Sequence, residues 1–209
     1  MKKLTRQKLE KFLELHATDE KVLDVGSGNS SYGKFFPNRL TLDYDPLRKP
    51  DVVADACHLP FEDNSYHTII CTEMLEHVID PKQVAREFYR VLDTGGKLIL
   101  TTRFVYPFHD APEDYWRFTP STLKHIFSDF SSVAITAESK EMTTISILLE
   151  RIILQTKTRG GKFTKFLLLI LSRFFTTLDW IVIKSYGNIQ KTTEVEEIMS
   201  SGYYVVARK

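Results

Sequence analysis

The sequence predicts an α/β fold: a doubly wound, mostly parallel sheet of seven strands with helices on both faces and a helical insertion before the last strand. Three observations lead there. Short β-branched runs alternate with stretches of helical periodicity, the pattern of parallel strands joined by crossover helices. A glycine turn follows the first strand directly. Polar residues gather at the carboxyl ends of successive strands, where such sheets place their ligands.

Residues 3–17 set Leu9, Phe12, Leu13 and His16 at helical spacing, which predicts a short amphipathic helix. Residues 21–25 form an apolar run closed by glycine, a buried strand. Residues 30–36 read as the following helix, stopped by Pro37. Strands follow at 39–43, 51–53 and 66–72, the last rich in β-branched residues. Asp80 suits an N-cap and Pro81 a first helical position; Val84, Phe88, Val91 and Leu92 make that helix's stripe and Gly95-Gly96 its stop. Residues 97–102 form the fifth strand, Thr119-Pro120 opens a helix to about Phe127, and 132–136 and 203–207 complete the sheet.

The 209 residues are expected to form a single domain, 1–209, with the insertion at 139–200. Hydrophobic residues at 43% and charged residues at 26% exclude a disordered or fibrous chain. A net charge of +1 gives no global basic field, so no nucleic-acid partner is expected. Cys57 and Cys71 have neither a disulfide framework nor zinc-site spacing, and no metal is expected. Charges interrupt the apolar residues of the first sixteen positions, leaving no signal-peptide core; the expected location is cytoplasmic.

The chemistry-bearing residues come in order. Asp24-Val25-Gly26-Ser27-Gly28 follows the first strand, and its glycines let a ligand approach the backbone. The dinucleotide fingerprint would need glycine at Ser31, which argues against a nicotinamide site. Asp43 ends the second strand, placed to accept two ribose hydroxyls, although Asp43-Tyr44-Asp45-Pro46 is also a turn sequence. Asp55 can accept from an exocyclic amine, the Ala56 N–H can donate to a ring nitrogen, and Leu59 and Phe61 can wall a base; a capped turn with ordinary packing is the alternative.

Leu23 to Gly28, Leu42-Asp43, Asp55-Ala56 with Leu59-Pro60-Phe61, Glu73 to Val78, then Val91-Leu92 and Gly95-Gly96 together resemble the class I S-adenosylmethionine-dependent methyltransferases, type 11-like, with a Rossmann-like sheet. The resemblance covers about residues 20–138 and extends to the last strand near 203–208. It implies S-adenosylmethionine as cofactor. By position it implies that Gly26, Ser27 and Gly28 line the methionyl part, that Asp24 orients the amino group, that Asp43 takes the ribose and Asp55 and Ala56 the adenine, and that Thr72 and Glu73 sit by the sulfonium. Many members carry a third glycine where this chain has Ser30.

Methyl transfer is an in-line displacement with a neutral leaving group, so alignment is the main task and a base is needed only for a hydroxyl or protonated amine. His109 and His77 are the candidate bases. Residues 106–120 are aromatic and charged; they resemble a segment of a bacterial methyltransferase subgroup associated with sugar or envelope metabolism. Tyr115 and Trp116 can stack on a substrate and Arg117 can grip a carboxylate or phosphate, the alternative being a packed loop with Arg117 on Asp114 or Glu113. Glu76 reads as a surface or capping charge. The expected acceptor is a small molecule, sugar or lipid-linked compound, methylated at oxygen; the rival readings are a silent methyltransferase-like binding module and a membrane-peripheral protein acting through its apolar insertion.

The insertion carries one helical stripe (Met142, Ile145, Leu149, Ile152) and one apolar segment, 163–183, joined by a basic turn with Lys157, Arg159 and Lys162. Arg173 and Asp179 each disfavour bilayer insertion by up to about 3 kcal/mol, which offsets the gain of about 0.3–0.6 from each apolar residue. An amphipathic helix follows, serving as lid, homodimer face or peripheral membrane contact.

Overall fold

The computed structural model describes residues 3–29 and 32–209. Ser30 and Ser31, on which the third-glycine and nicotinamide arguments turn, lie outside the described residues. The strands are β1 (Val22–Val25), β2 (Arg39–Asp43), β3 (Val52–Val53), β4 (Tyr66–Thr72), β5 (Leu92–Arg103), β6 (Ser132–Ala137), the short pair β7 (Ser185–Tyr186) and β8 (Glu194–Val195), and β9 (Gly202–Arg208). The helices are α1 (Leu4–Glu14), α2 (Pro81–Val91), α3 (Pro120–Ile126), α4 (Glu141–Gln155) and α5 (Gly161–Thr176). Seven strands make one sheet in the order β3-β2-β1-β4-β5-β9-β6. β1 to β5 pair in parallel, and β9 runs antiparallel to both β5 and β6. The expected doubly wound α/β sheet is present.

One face of the sheet is sealed by α2 and α3: Val84, Phe88, Val91, Leu123 and Phe127 are buried with Leu23, Val25, Ile69 and Leu98. α2 begins as its sequence requires, the Asp80 carboxylate accepting the Gln83 N–H at 3.0 Å with Pro81 in the first turn. On the other face Leu9 and Leu13 of α1 pack with Val22, Tyr32, Phe36, Ile70 and Ile99.

Two expectations need correction. The helix expected over 30–36 is a single 3₁₀ turn, Tyr32–Lys34, among the described residues. Gly33 and Pro37 leave too little chain for a helix, and α1 covers that face instead. Gly95-Gly96 does not close α2, which ends at Val91, where β5 begins. Leu92 pairs with Tyr66 and Lys97 with Thr68, so residues 93–96 bulge over His67. Gly95 takes φ +83°, and a Cβ on Gly96 would meet the His67 carbonyl at 3.0 Å.

α4 and α5 form an antiparallel hairpin between β6 and β9. Buried hydroxyls of Ser146 and Ser172 meet at 2.8 Å, and Arg173 pairs with Glu150 at 2.9 Å. The Thr143 N–H and hydroxyl both donate to Asp179. α5 leaves Phe163, Phe166, Leu167, Ile170 and Phe174 exposed, and Trp180 and Ile183 continue that apolar surface. Among the described residues no helix is long and apolar enough to cross a membrane.

Candidate active site

The carboxyl ends of β1, β2 and β4 open onto two adjoining clefts of about 390 and 380 Å³ that share Gly26, Asp43, Tyr44, Met74, His77 and Glu113. The first is polar, lined by the glycine loop, Thr72 and Glu73. The second is a more apolar slot between Leu42, Ala54, Asp55, Ala56, Val78 and Ile79. Asp43 stands where they meet.

The glycine loop folds back on β2: the N–H groups of Gly26 and Ser27 both donate to the Leu42 carbonyl, at 2.8 and 3.1 Å. Gly26 takes φ +68°, and a Cβ there would stand 2.3 Å from Met74 Cγ, so only glycine fits. The Gly28 N–H donates to Asp43 Oδ2 at 2.8 Å and the Asp45 N–H to Oδ1 at 3.0 Å. Each Asp43 oxygen therefore keeps a lone pair for a ligand. Asp55 caps the Cys57 N–H at 2.8 Å and remains exposed, while the Ala56 N–H makes no hydrogen bond among the described residues.

Asp24 lies outside the lining of both clefts. It is wholly buried, 3.1 Å from Arg39, and burial pushes its carboxyl up to about 7. Glu73, in a left-handed backbone conformation at φ +52°, pairs with the buried Arg103, which also binds Glu138 at 2.7 Å. Burial alone would raise the Glu73 carboxyl, but Arg103 outweighs it and holds it below its ordinary value. Thr72 is buried at the end of β4 and lines the polar cleft.

Glu76 is a correction: far from the surface, it is fully buried and accepts the Thr102 hydroxyl at 2.7 Å, while its Oε1 has no hydrogen-bond partner among the described residues. Burial raises its carboxyl pKa. Its backbone carbonyl takes the N–H groups of Tyr115 and Trp116, anchoring the 104–118 segment beside the cleft.

That segment is held by charge. Asp114 accepts two Arg117 donors at 2.6 Å and the His109 N–H at 2.9 Å. Burial would raise the Asp114 carboxyl; these bonds prevail and hold it at about 2. Arg117 spends its other donors on the carbonyls of Tyr106, Pro107 and Trp116, so the packed-loop arrangement replaces the expected substrate grip. Trp116 donates to the Val78 carbonyl at 2.9 Å, stacks on Phe118 and lines neither cleft. Tyr115 lines the apolar slot instead of an acceptor pocket.

His109 is buried, its Nδ1 3.2 Å from Asp114 and 3.3 Å from the Pro107 carbonyl; both point to a proton on Nδ1 and a free Nε2. Burial lowers its pKa. The His77 ring meets that of His109 edge-on at 4.8 Å and donates from Nδ1 to the Glu113 carbonyl. Ligating atoms of Glu76, His77 and His109 lie within 4.8 Å of one another, a set able to hold a divalent cation that the sequence reading did not foresee. Arg6, Tyr32, Tyr44 and Met74 also line the polar cleft and were missed. Of these, Met74 and Tyr44 stood beside a sequence signal, next to Glu73 and Asp43.

Residues 23–100 match the family model described as "Methyltransferase domain". The chain is 34% identical over 102 residues to a demethylmenaquinone methyltransferase of Renibacterium salmoninarum, covering 42% of this chain and 43% of that protein. It is 28% identical over 151 residues to a ubiquinone/menaquinone biosynthesis C-methyltransferase of Haemophilus ducreyi, covering 59% of this chain and 58% of that one. The chain thus spans about half the length of these two curated relatives. Among solved structures, a SAM-dependent methyltransferase from Archaeoglobus fulgidus superimposes with TM-score 0.59 at 17% identity, over 99% of this chain and 93% of the other. A phosphoethanolamine N-methyltransferase 2 of Haemonchus contortus does so at 0.55 and 18%, over 98% and 52%. At these identities the structural likeness shows the fold.

Proposed function

We propose that this chain, whose residues 23–100 match a methyltransferase-domain model, is a class I S-adenosylmethionine-dependent methyltransferase that transfers a methyl group from S-adenosylmethionine to an oxygen of a small-molecule, sugar or lipid-linked acceptor. The observation that carries this reading is the order along the paired clefts: glycine loop, then Asp43 with two lone pairs open, then an apolar slot bearing the unpaired Ala56 N–H. When bound, S-adenosylmethionine supplies an electrophilic methyl carbon on a sulfur that leaves uncharged. Asp43 accepts the two ribose hydroxyls, Asp55 and Ala56 read the adenine edge, and Gly26, Ser27, Gly28, Thr72 and Glu73 surround the methionyl chain. Asp24 acts beneath the loop as a positioning residue through Arg39.

His109 is the base. Asp114 and the Pro107 carbonyl hold its Nδ1–H, leaving Nε2 to take the acceptor's hydroxyl proton as the oxygen attacks. Its lowered pKa keeps it neutral, and so competent, at neutral pH. His77, packed edge-on against it, positions the ring. Arg117 and Trp116 act as scaffold. His109→Ala should lower turnover about 10²- to 10⁴-fold with S-adenosylhomocysteine affinity unchanged; unchanged turnover removes the role. Full turnover after exhaustive chelation supports the base, whereas turnover restored only by a divalent cation gives Glu76, His77 and His109 to a metal.

A carbon acceptor is the second reading, favoured by the quinone C-methyltransferases among the relatives; the methylated atom in the product decides. The apolar face of α5 beside Lys157, Arg159 and Lys162 supports a peripheral place at an anionic membrane for an otherwise cytoplasmic protein. A homodimer through the same face is the competing outcome, and vesicle sedimentation against solution mass separates the two.

A further inference from the structure

A third cavity, also about 390 Å³, adjoins the polar cleft and shares Arg6, Glu73 and Asp110 with it. Its remaining wall is Lys3 and Thr5 of the α1 end, Tyr106 and His109 of the charged segment, and Arg151 of α4. Three cations therefore converge from two elements far apart in the chain. Arg151 has neutral neighbours: its Nε donates to Gln155 at 3.1 Å and its guanidinium lies over the Tyr106 ring at 4.9 Å. Arg6 donates to the Tyr32 hydroxyl and lies 3.9 Å from Glu10. Of the two carboxylates on the cavity, Glu73 is already committed to Arg103, which leaves Asp110.

Neutral donors line the same space. The Thr5 side chain is only 6% exposed and makes no hydrogen bond among the described residues. Nor do the Thr5 and Arg6 N–H groups in the first turn of α1, although Leu4 N–H is taken by Glu150. His109, 8% exposed, brings its free Nε2. Three cations and the buried Thr5 on one cavity wall suit an anion, with the candidate base His109 on the same wall.

We propose that this cavity is the acceptor subsite and takes a phosphate-bearing acceptor, its phosphate held by Arg6, Arg151 and Lys3 and a hydroxyl of the same molecule set against His109. The α4–α5 insertion then selects substrate, because Arg151 comes from it. The placing of the hydroxyl rests on the methyltransferase reading; the phosphate site does not. A soluble sugar phosphate and a lipid head group carry the same chemistry.

The full chain, loaded with S-adenosylhomocysteine, is titrated with glycerol 3-phosphate and separately mixed with phosphatidylglycerol and phosphatidylcholine vesicles. Saturable binding of glycerol 3-phosphate, weakened at least tenfold in Arg151→Gln and also in Lys3→Gln, supports the site and a soluble source. Sedimentation with phosphatidylglycerol alone, reduced to the same degree by both variants, supports it with a lipid head group as source. Absence of both, or vesicle binding that the variants leave intact, overturns the proposal. S-adenosylhomocysteine binding is read in each variant: its persistence shows the fold and cleft intact. Its absence from folded wild-type protein would sink the methyltransferase reading while leaving the phosphate result to stand or fall alone.

Discussion

The two walls of the cleft are built on different physics. The wall proposed to hold the cofactor uses main chain: N–H groups of Gly26, Ser27, Gly28 and Asp45 are fixed by β1 and β2, and one carboxylate, Asp43, gathers two of them. The wall proposed to face the acceptor, residues 104–118, is held by ionised side chains reaching across it, with Asp114 and Arg117 at the centre and the Glu76 and Val78 carbonyls as anchors. A wall of main-chain geometry tolerates pH and fails on a wrong backbone. A wall of charge tolerates backbone variation and fails when a charge is removed.

The largest expected effect breaks the first wall. Asp43→Ala removes an acceptor for two ribose hydroxyls, each charge-assisted bond contributing about 1.5–3 kcal/mol, so cofactor affinity should fall at least ~100-fold by calorimetry. Next comes the second wall. Asp114→Asn leaves Arg117 without its counter-charge and His109 without its carboxylate, and turnover should fall about 10- to 100-fold with cofactor affinity within twofold. Gly26→Ala forces a Cβ into Met74 at positive φ and should cost about 1–3 kcal/mol in chemical denaturation.

A pH comparison sharpens the contrast. Asp114 is held at about 2 in the fold, so its contribution is whole above the unfolded carboxylate value near 3.9 and is lost as pH falls from there towards 2. Asp24 runs the other way: raised to about 7, it is neutral in the fold while the unfolded chain ionises, so stability is lost as pH rises from near 3.9 to 7. Asp24→Asn should match wild type below pH 4 and gain relative stability towards pH 7; a pH-independent difference would contradict this assignment. The smallest effect lies on α5, where Phe166→Ser should change stability by only about 0.5 kcal/mol while reducing sedimentation with anionic vesicles.

The geometry of the glycine-loop wall was legible in the sequence because its signals are local. A glycine loop directly after a strand, and Asp43 at the end of the next, follow from chain order alone, and six of the seven strands of the main sheet stand within a residue or two of their expected bounds. The exception, β5, starts early because its partner Tyr66 is set by sheet register, which no local window contains. Tyr66–Thr72 was legible to the residue, since its β-branched run is bounded by turn residues on one side and the acidic segment on the other. The acceptor wall was not legible in this way. Whether Arg117 meets a ligand or Asp114 depends on a fold-back of the loop, and Glu76 reads as a surface charge until Thr102 of a different strand is set against it. Arg6 and Arg151 reach one cavity from elements far apart in the chain, a convergence only the tertiary fold creates. Among the described residues the segment after β1 makes only the Tyr32–Lys34 turn, and the reason is again tertiary: α1, upstream of the sheet, packs on that face.

The most direct measurement titrates S-adenosylhomocysteine into wild type, Asp43→Ala and Asp114→Asn side by side, with folding checked by circular dichroism. Micromolar binding by wild type, retained in Asp114→Asn and lost in Asp43→Ala, is the predicted result. Folded wild-type protein that binds nothing, or equal loss in both variants, would contradict the division of the cleft into a cofactor wall and an acceptor wall.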